Sequence, residues 1–151
     1  QKGKLVIGVE NTPTLLFDIL QFLVIDLGGV VGQIGMGQHG EEGGGRCKIK
    51  TADETADIMV DALVKDLELQ RGERVLLLIN GSGATTLMEQ LLVYRRCVKH
   101  LADLGIEVAA NYVGELLTTQ EQAGFQMSMV RMNDQLLEYW NAPCNTAYFK
   151  K

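Results

Sequence analysis

Strand-like and helix-like patterns alternate along the chain. Residues 4–9, Lys4-Leu5-Val6-Ile7-Gly8-Val9, read as a strand, and Thr12-Pro13 then supplies a cap and a proline at a first helical position. Residues 14–27 are the most apolar segment, interrupted by Asp18, Gln21 and Asp26, and read as a buried helix that ends at Gly28-Gly29. Residues 30–37 form a glycine-softened strand. Thr51-Ala52-Asp53-Glu54 is a capping box, in which the Thr hydroxyl and the Glu carboxylate satisfy each other's orphan backbone donors. Behind it Ala56, Met59, Leu63 and Leu67 recur at helical spacing, which predicts a helix over 51–69 with one buried face.

Val75-Leu76-Leu77-Leu78-Ile79 is a short all-apolar run, the signature of a central strand covered on both faces. Asn80-Gly81-Ser82-Gly83-Ala84-Thr85 makes a turn into a helix over 86–104. Its apolar stripe is Leu87, Leu91, Tyr94, Val98 and Leu101, and Gly105 stands at the C′ position. Residues 107–113 read as a strand, and Thr118-Thr119-Gln120-Glu121 as a short helical turn stopped by Gly124. Residues 125–132 form a further strand, antiparallel because its connection is too short for a crossover. Asn133 caps a last helix carrying Leu136, Leu137 and Trp140, which ends before Pro143. This order predicts an α/β fold: one single-layer mixed sheet, mostly parallel, covered by helices. No internal repeat or linker divides it.

Composition narrows the class. The 151 residues suffice for one domain with a real core. A formal net charge of −5 with scattered basic residues argues against nucleic acid as a partner. The apolar 14–27 segment falls short of the roughly 20 residues of a membrane span, so no membrane partner is expected. Cys47, Cys97 and Cys144 are odd in number, far apart and outside any Cys-x-x-Cys pattern, which suits a reducing cytoplasm. Gln1 fits a chain that begins part-way through a longer protein, or a short natural relative of one.

Two stretches could carry chemistry. In Gln33-Ile34-Gly35-Met36-Gly37-Gln38-His39-Gly40-Glu41-Glu42-Gly43 one of only two histidines stands in a glycine-rich run, with two carboxylates behind it. Its imidazole is a base, a metal ligand or a nucleophile toward a carbonyl carbon, or else an incidental surface group in a connection. Neither a His-Glu-x-x-His helix nor a paired Cys/His set accompanies it, so no metal is expected. His100, near the end of a predicted helix, suits the helix dipole. The second stretch, Gly81-Ser82-Gly83-Ala84-Thr85-Thr86, lies between strand and helix, where a phosphate could sit on helix N-terminal amides. It is also a sufficient tight turn, and no lysine follows it as a P-loop requires. Glu115, after the next strand, either faces a site or is solvated. Met127, Met129 and Met132 read as core.

Taken together, these segments resemble the substrate-binding subunit or domain of dihydroxyacetone kinases. Residues 34–43 are similar to that family's glycine-rich strand ending in His-Gly-Glu-Pro-Gly, and residues 80–89 to its Asn-x-x-Gly-Ala-Thr-Pro-Leu-x-Glu turn. Asn111-Tyr112-Val113-Gly114-Glu115, Ala123-Gly124-Phe125 and Asn141-Ala142-Pro143 follow in family order, so the resemblance spans about 34–146. It implies that residues 34–151 form the C-terminal lobe of the substrate-binding domain, with residues 1–33 an unmatched strand–helix segment. It further implies that His39 binds dihydroxyacetone (glycerone) covalently, as a hemiaminal, for phosphorylation of the ketone's hydroxyl. The resemblance places the phosphoryl donor, ATP or a recharged ADP with Mg, on a nucleotide-holding partner subunit or domain, with no cofactor in this chain. A homo-oligomer acting in glycerol metabolism, alone or with a phosphotransferase system, is the implied setting.

Three departures bear on this. Glu42 and Thr86 stand where the family has prolines. The family's upstream Gly-Gly-Gly-Ser-Gly-His and Asn-Tyr-x-Gly-Asp stretches, which complete the pocket, do not occur in this sequence. The chain alone is therefore expected to be inactive as a kinase and to hold the ketone weakly or not at all. A non-catalytic dihydroxyacetone-sensing regulator or coactivator is the alternative.

Overall fold

The computed structural model describes residues 4–5, 17–26, 31–36, 46–48, 50–117 and 119–151. Local chemistry sets both long helices. Thr51 caps α1 (Ala52–Asp66) through its hydroxyl while Glu54 reaches back to the Thr51 amide at 2.9 Å. Thr86 and Glu89 repeat the device at the start of α2 (Leu87–Asp103), with the Thr86 amide donating to Glu89 at 2.8 Å. Gly105 then leaves α2 with φ +77°, a conformation that favours glycine. Asn133 caps α3 (Asp134–Asn141) by accepting from the Leu136 amide.

The strands form one mixed sheet. In chain order they are β1 (Lys4–Leu5), β2 (Phe17–Asp26), β3 (Val31–Met36), β4 (Arg46–Lys48), β5 (Arg74–Gly81), β6 (Glu107–Gly114) and β7 (Gly124–Met132). Their spatial order is β4-β3-β2-β7-β5-β6, with β1 pairing β2 off this path. The α/β class and the single mixed sheet are as the pattern predicts. The parallel share is smaller: β5 and β6 pair parallel across α2, and the other described ladders are antiparallel. The short connection into β7 forces that reversal, as expected.

The helix expected over 14–27 is instead β2. A continuous apolar run does not reveal its period, and Phe17, Ile19, Phe22, Val24 and Ile25 are strand formers. What decides is the partner: β2 aligns with β7 from Ile19 opposite Val130 to Ile25 opposite Gly124. β1 falls inside the strand expected over 4–9, whose remaining residues, with the Thr12-Pro13 cap, lie outside the described residues.

The core lies between the sheet and α1 with α2. Ala56, Met59, Leu63 and Leu67, the predicted face of α1, are all buried. They meet Val75, Leu77 and Ile79 of β5 and Met127 and Met129 of β7. Leu77 stands opposite Met129 and Ile79 opposite Met127, so the expected methionine packing is real cross-strand packing. β5 is an interior strand, as predicted, but its faces differ. Leu76 and Leu78 on the other face are only half-buried. On that side Tyr112 stacks obliquely on Phe149 at 5.5 Å, and Trp140 lies 6.5 Å from the same ring. Among the described residues no helix is long and apolar enough to cross a membrane.

Candidate functional site

His39, Glu41 and Glu42 lie outside the described residues. The strand leading toward them is placed. Met36, the last residue of β3, pairs with Leu23, Leu23 with Gln126, and Gln126 with Asn80. The end of β3 is thus level with Asn80 in β5, three strands or roughly 14 Å across the sheet, and β3 runs antiparallel to β5, so its start at Val31 and Gly32 lies nearer the carboxyl end of β5 than Met36 does. The carboxyl end of the parallel pair β5 and β6 is where open α/β sheets offer their ligand crevice.

At that end two loops are knitted together. The Ser82 amide donates to the Gly124 carbonyl at 3.1 Å, the Gln122 amide to Ser82 at 2.9 Å and the Ala84 amide to Gln122 at 3.2 Å. Thr119 adds its hydroxyl to the Ser82 carbonyl at 2.5 Å. Thr85 binds Gly124 twice, donating to its carbonyl at 2.7 Å and accepting from its amide at 3.0 Å. These bonds explain why residues 119–121, the described part of the helical turn expected over 118–121, are not helical. Thr119 and Gln122 spend their bonding capacity on the 81–86 turn, and Glu121 adopts φ +48°, a left-handed conformation that breaks a helix.

Asn80 anchors the arrangement from beneath. Its side chain is buried, its Oδ1 accepts from the amides of Leu116 and Leu117, and its Nδ2 donates to the carbonyls of Gly81 and Leu117. Gln90, almost wholly buried, donates to the Thr85 carbonyl at 3.0 Å and to Glu115 Oε1 at 2.9 Å, while its own Oε1 has no partner among the described residues. Glu115 is therefore half-buried and held, not solvated. It fits only because residue 81 is glycine: a Cβ there would stand 1.9 Å from Glu115 Oε1.

Gln90 was not visible as a site residue in the apolar pattern. The predicted stripe of α2 is rotated by about one position, so that Leu87 and Leu91 are exposed while Gln90, Val93, Cys97 and Leu101 face inward. A polar residue at i, with apolar ones at i+3, i+7 and i+11, was the available signal.

Of the two readings of the 81–86 turn, the geometry favours the structural one. The Ser82 and Ala84 amides are spent on the neighbouring loop, and Glu89 occupies the start of α2, where a phosphate would need to bind. Hydrogen bonds from the Thr86 hydroxyl and amide hold the Glu89 carboxyl below its usual range, so it stays ionised and repels anions there. His100 is likewise structural: its Nε2 lies 2.7 Å from Asp61 on the neighbouring helix. Burial pushes the Cys97 thiol up to about 12, which leaves it a core residue.

The matching families bring these observations together. The Dak1 domain model matches residues 26–148. The dihydroxyacetone-binding subunit DhaK of a PTS-dependent dihydroxyacetone kinase 2 of Listeria innocua is 36% identical over 118 residues, covering 78% of this chain and 36% of that protein. An L-erythrulose kinase of Pectobacterium atrosepticum is 34% identical, covering 78% of this chain and 21% of its own length. A solved structure described for the regulation of the dha operon of Lactococcus lactis superposes with a TM-score of 0.75 at 26% identity, over 83% of this chain and 40% of that one. The chain thus spans about a third or less of the curated relatives just named. With the match running through both glycine-rich stretches and the knitted loops, the chain belongs to the Dak1 domain family.

Proposed function

We propose that this chain is the ketone-holding lobe of a dihydroxyacetone kinase, with His39 as the covalent attachment point. The observation that carries the reading is His39-Gly40-Glu41 standing just past β3 in a chain 36% identical to a dihydroxyacetone-binding subunit. A neutral imidazole nitrogen adds to the carbonyl carbon, the C=O electron pair moves to oxygen, and the ring's other N–H proton ends on that oxygen. Glycerol has no carbonyl and forms no such bond. The held ketone then presents a terminal hydroxyl to a phosphoryl donor at fixed distance, which is where most of the rate gain in phosphoryl transfer arises.

The donor belongs on a partner. The similarity to a dihydroxyacetone-binding subunit, named as one part of a larger kinase, supports this reading. On this reading ATP, or a recharged ADP with Mg, is held by a nucleotide-holding subunit or domain. The erythrulose kinase relative supports a substrate class of short hydroxyketones. The alternative, a ketone-sensing regulator without phosphoryl transfer, draws on the operon-regulation structure. Mixing the chain with a nucleotide-holding kinase subunit, ATP and dihydroxyacetone separates the two. The kinase reading expects phosphorylation of the ketone and none of glycerol. Ketone binding without transfer selects the regulator.

A further inference from the structure

Asn80 is the one asparagine of the chain that a glycine follows. This dipeptide closes readily on itself, because with no Cβ on residue 81 nothing shields the Gly81 nitrogen from the asparagine side chain. The nitrogen gives up its proton and attacks Asn80 Cγ, and Nδ2 leaves as ammonia with that proton. Water then opens the five-membered succinimide at either carbonyl, leaving an aspartyl or an isoaspartyl residue at position 80. Water is the only co-reactant.

The fold requires both halves of the dipeptide. One side chain must donate to the Gly81 and Leu117 carbonyls and accept from the Leu116 and Leu117 amides, which asparagine does. A Cβ at residue 81 would stand 1.9 Å from Glu115 Oε1 and 2.1 Å from Gln90 Nε2, so glycine is needed there. The same contacts block the reaction. Asn80 is only 3% exposed, and both its side-chain polar atoms are bonded. Its backbone is paired on two sides, with Gly114 of β6 and Gln126 of β7, while Gly81 is paired with Phe125. Swinging the Gly81 nitrogen onto Cγ requires breaking those pairings.

We propose that Asn80-Gly81 is a deamidation site guarded by the native fold, reached only when the end of β5 opens, and that conversion there bars the chain from returning. An acid at position 80 sets oxygen against the Gly81 and Leu117 carbonyls, which now accept from Nδ2 at 2.9 and 3.0 Å. The isoaspartyl form also lengthens the main chain by one carbon, which throws the 81–86 turn out of step with β7. Each opening thus exposes the anchor beneath that turn to permanent loss, and the lifetime of the chain follows how often this strand end opens. The proposal does not depend on the ketone-binding reading.

Peptide mapping of the 151-residue chain at pH 8.5 and 37 °C, over a series of guanidinium chloride concentrations, tests it. Conversion at position 80 is expected to be at least tenfold slower in native buffer than in full denaturant. Across the transition it should rise in step with the unfolded fraction. Gly81→Ala, compared in full denaturant where folding does not enter, is expected to convert at least fivefold more slowly. After removal of denaturant, the refolded molecules should carry the amide at position 80 and the converted ones should stay unfolded by circular dichroism. Should unconverted chains also fail to refold, Asn80→Asp, purified without denaturation, carries that arm and is expected to unfold at lower urea than the wild type. Native conversion at the denatured rate, or no conversion in denaturant, would overturn the proposal. So would converted or Asn80→Asp chains whose urea curve matches the wild type.

Discussion

Asn80 pairs with Leu117 in both directions: its Nδ2 donates to the Leu117 carbonyl at 3.0 Å and its Oδ1 accepts from the Leu117 amide at 2.8 Å. One side-chain amide thus does for the loop after β6 what a neighbouring strand would do. Asn80→Ala leaves those backbone groups with no side-chain partner in a partly buried place and is expected to cost about 1–3 kcal/mol in urea unfolding. Asn80→Asp keeps the acceptor but sets an oxygen against the Gly81 and Leu117 carbonyls, so it is expected to be no milder.

Two glycines of the same turn make a graded pair. At Gly81 an added Cβ meets the ends of two flexible side chains, Glu115 and Gln90. Gly81→Ala should displace them and lose about 1 kcal/mol. Gly83 has φ +100°, and its Cβ would meet backbone, 2.6 Å from the Thr119 carbonyl and 2.8 Å from the Glu121 amide. Gly83→Ala adds left-handed strain to that clash and is expected to cost about 2–4 kcal/mol. Equal losses in denaturant titrations would contradict the assignment of the two environments.

Acid stability depends on the pair between α1 and α2. Arg96 grips Asp57 through two bonds, at 2.7 and 2.6 Å, and its guanidinium holds the Asp57 carboxyl below its usual 3.8. A depressed folded-state value stabilises the fold above the unfolded pKa and loses that contribution as pH falls through the folded one. Asp57→Asn should therefore lower stability by ~1 kcal/mol at pH 7. The gap should close as pH falls below about 4. Urea curves at pH 7, 5, 4 and 2.5 read this directly.

Cys97 is wholly buried and its thiol is pushed up to about 12. Native protein treated with iodoacetamide at pH 8 should leave Cys97 unmodified while Cys144, partly exposed, reacts. Peptide mapping distinguishes the two, and fast labelling of Cys97 would contradict the packing of α2 on the core.

The helices and β5 to β7 were legible because their signals are local: one capping box, a glycine just past the second helix, one apolar run and a capped last helix. β2 was not. A ten-residue apolar run is compatible with a helix or a strand until its partner is known, and that partner, β7, lies a hundred residues away. The 118–121 stretch misled for the same reason, since its bonds go to the distant 81–86 turn. Of the site, Asn80, Gly81 and Glu115 stood in recognisable motifs, whereas Gln90 was hidden by a stripe of leucines that prove to be exposed.

The central claim rests on His39, and the most direct measurement is the intact mass of the chain in gentle ionisation with excess dihydroxyacetone, for wild type and His39→Ala. The account predicts a mass gain of one ketone on the wild type, a small fraction of the molecules at low ketone and rising with its concentration. It predicts none with glycerol and none on His39→Ala, whose unfolding curve should match the wild type. A ketone adduct of equal yield on His39→Ala, or a wild type that takes up no ketone at any concentration, would contradict it.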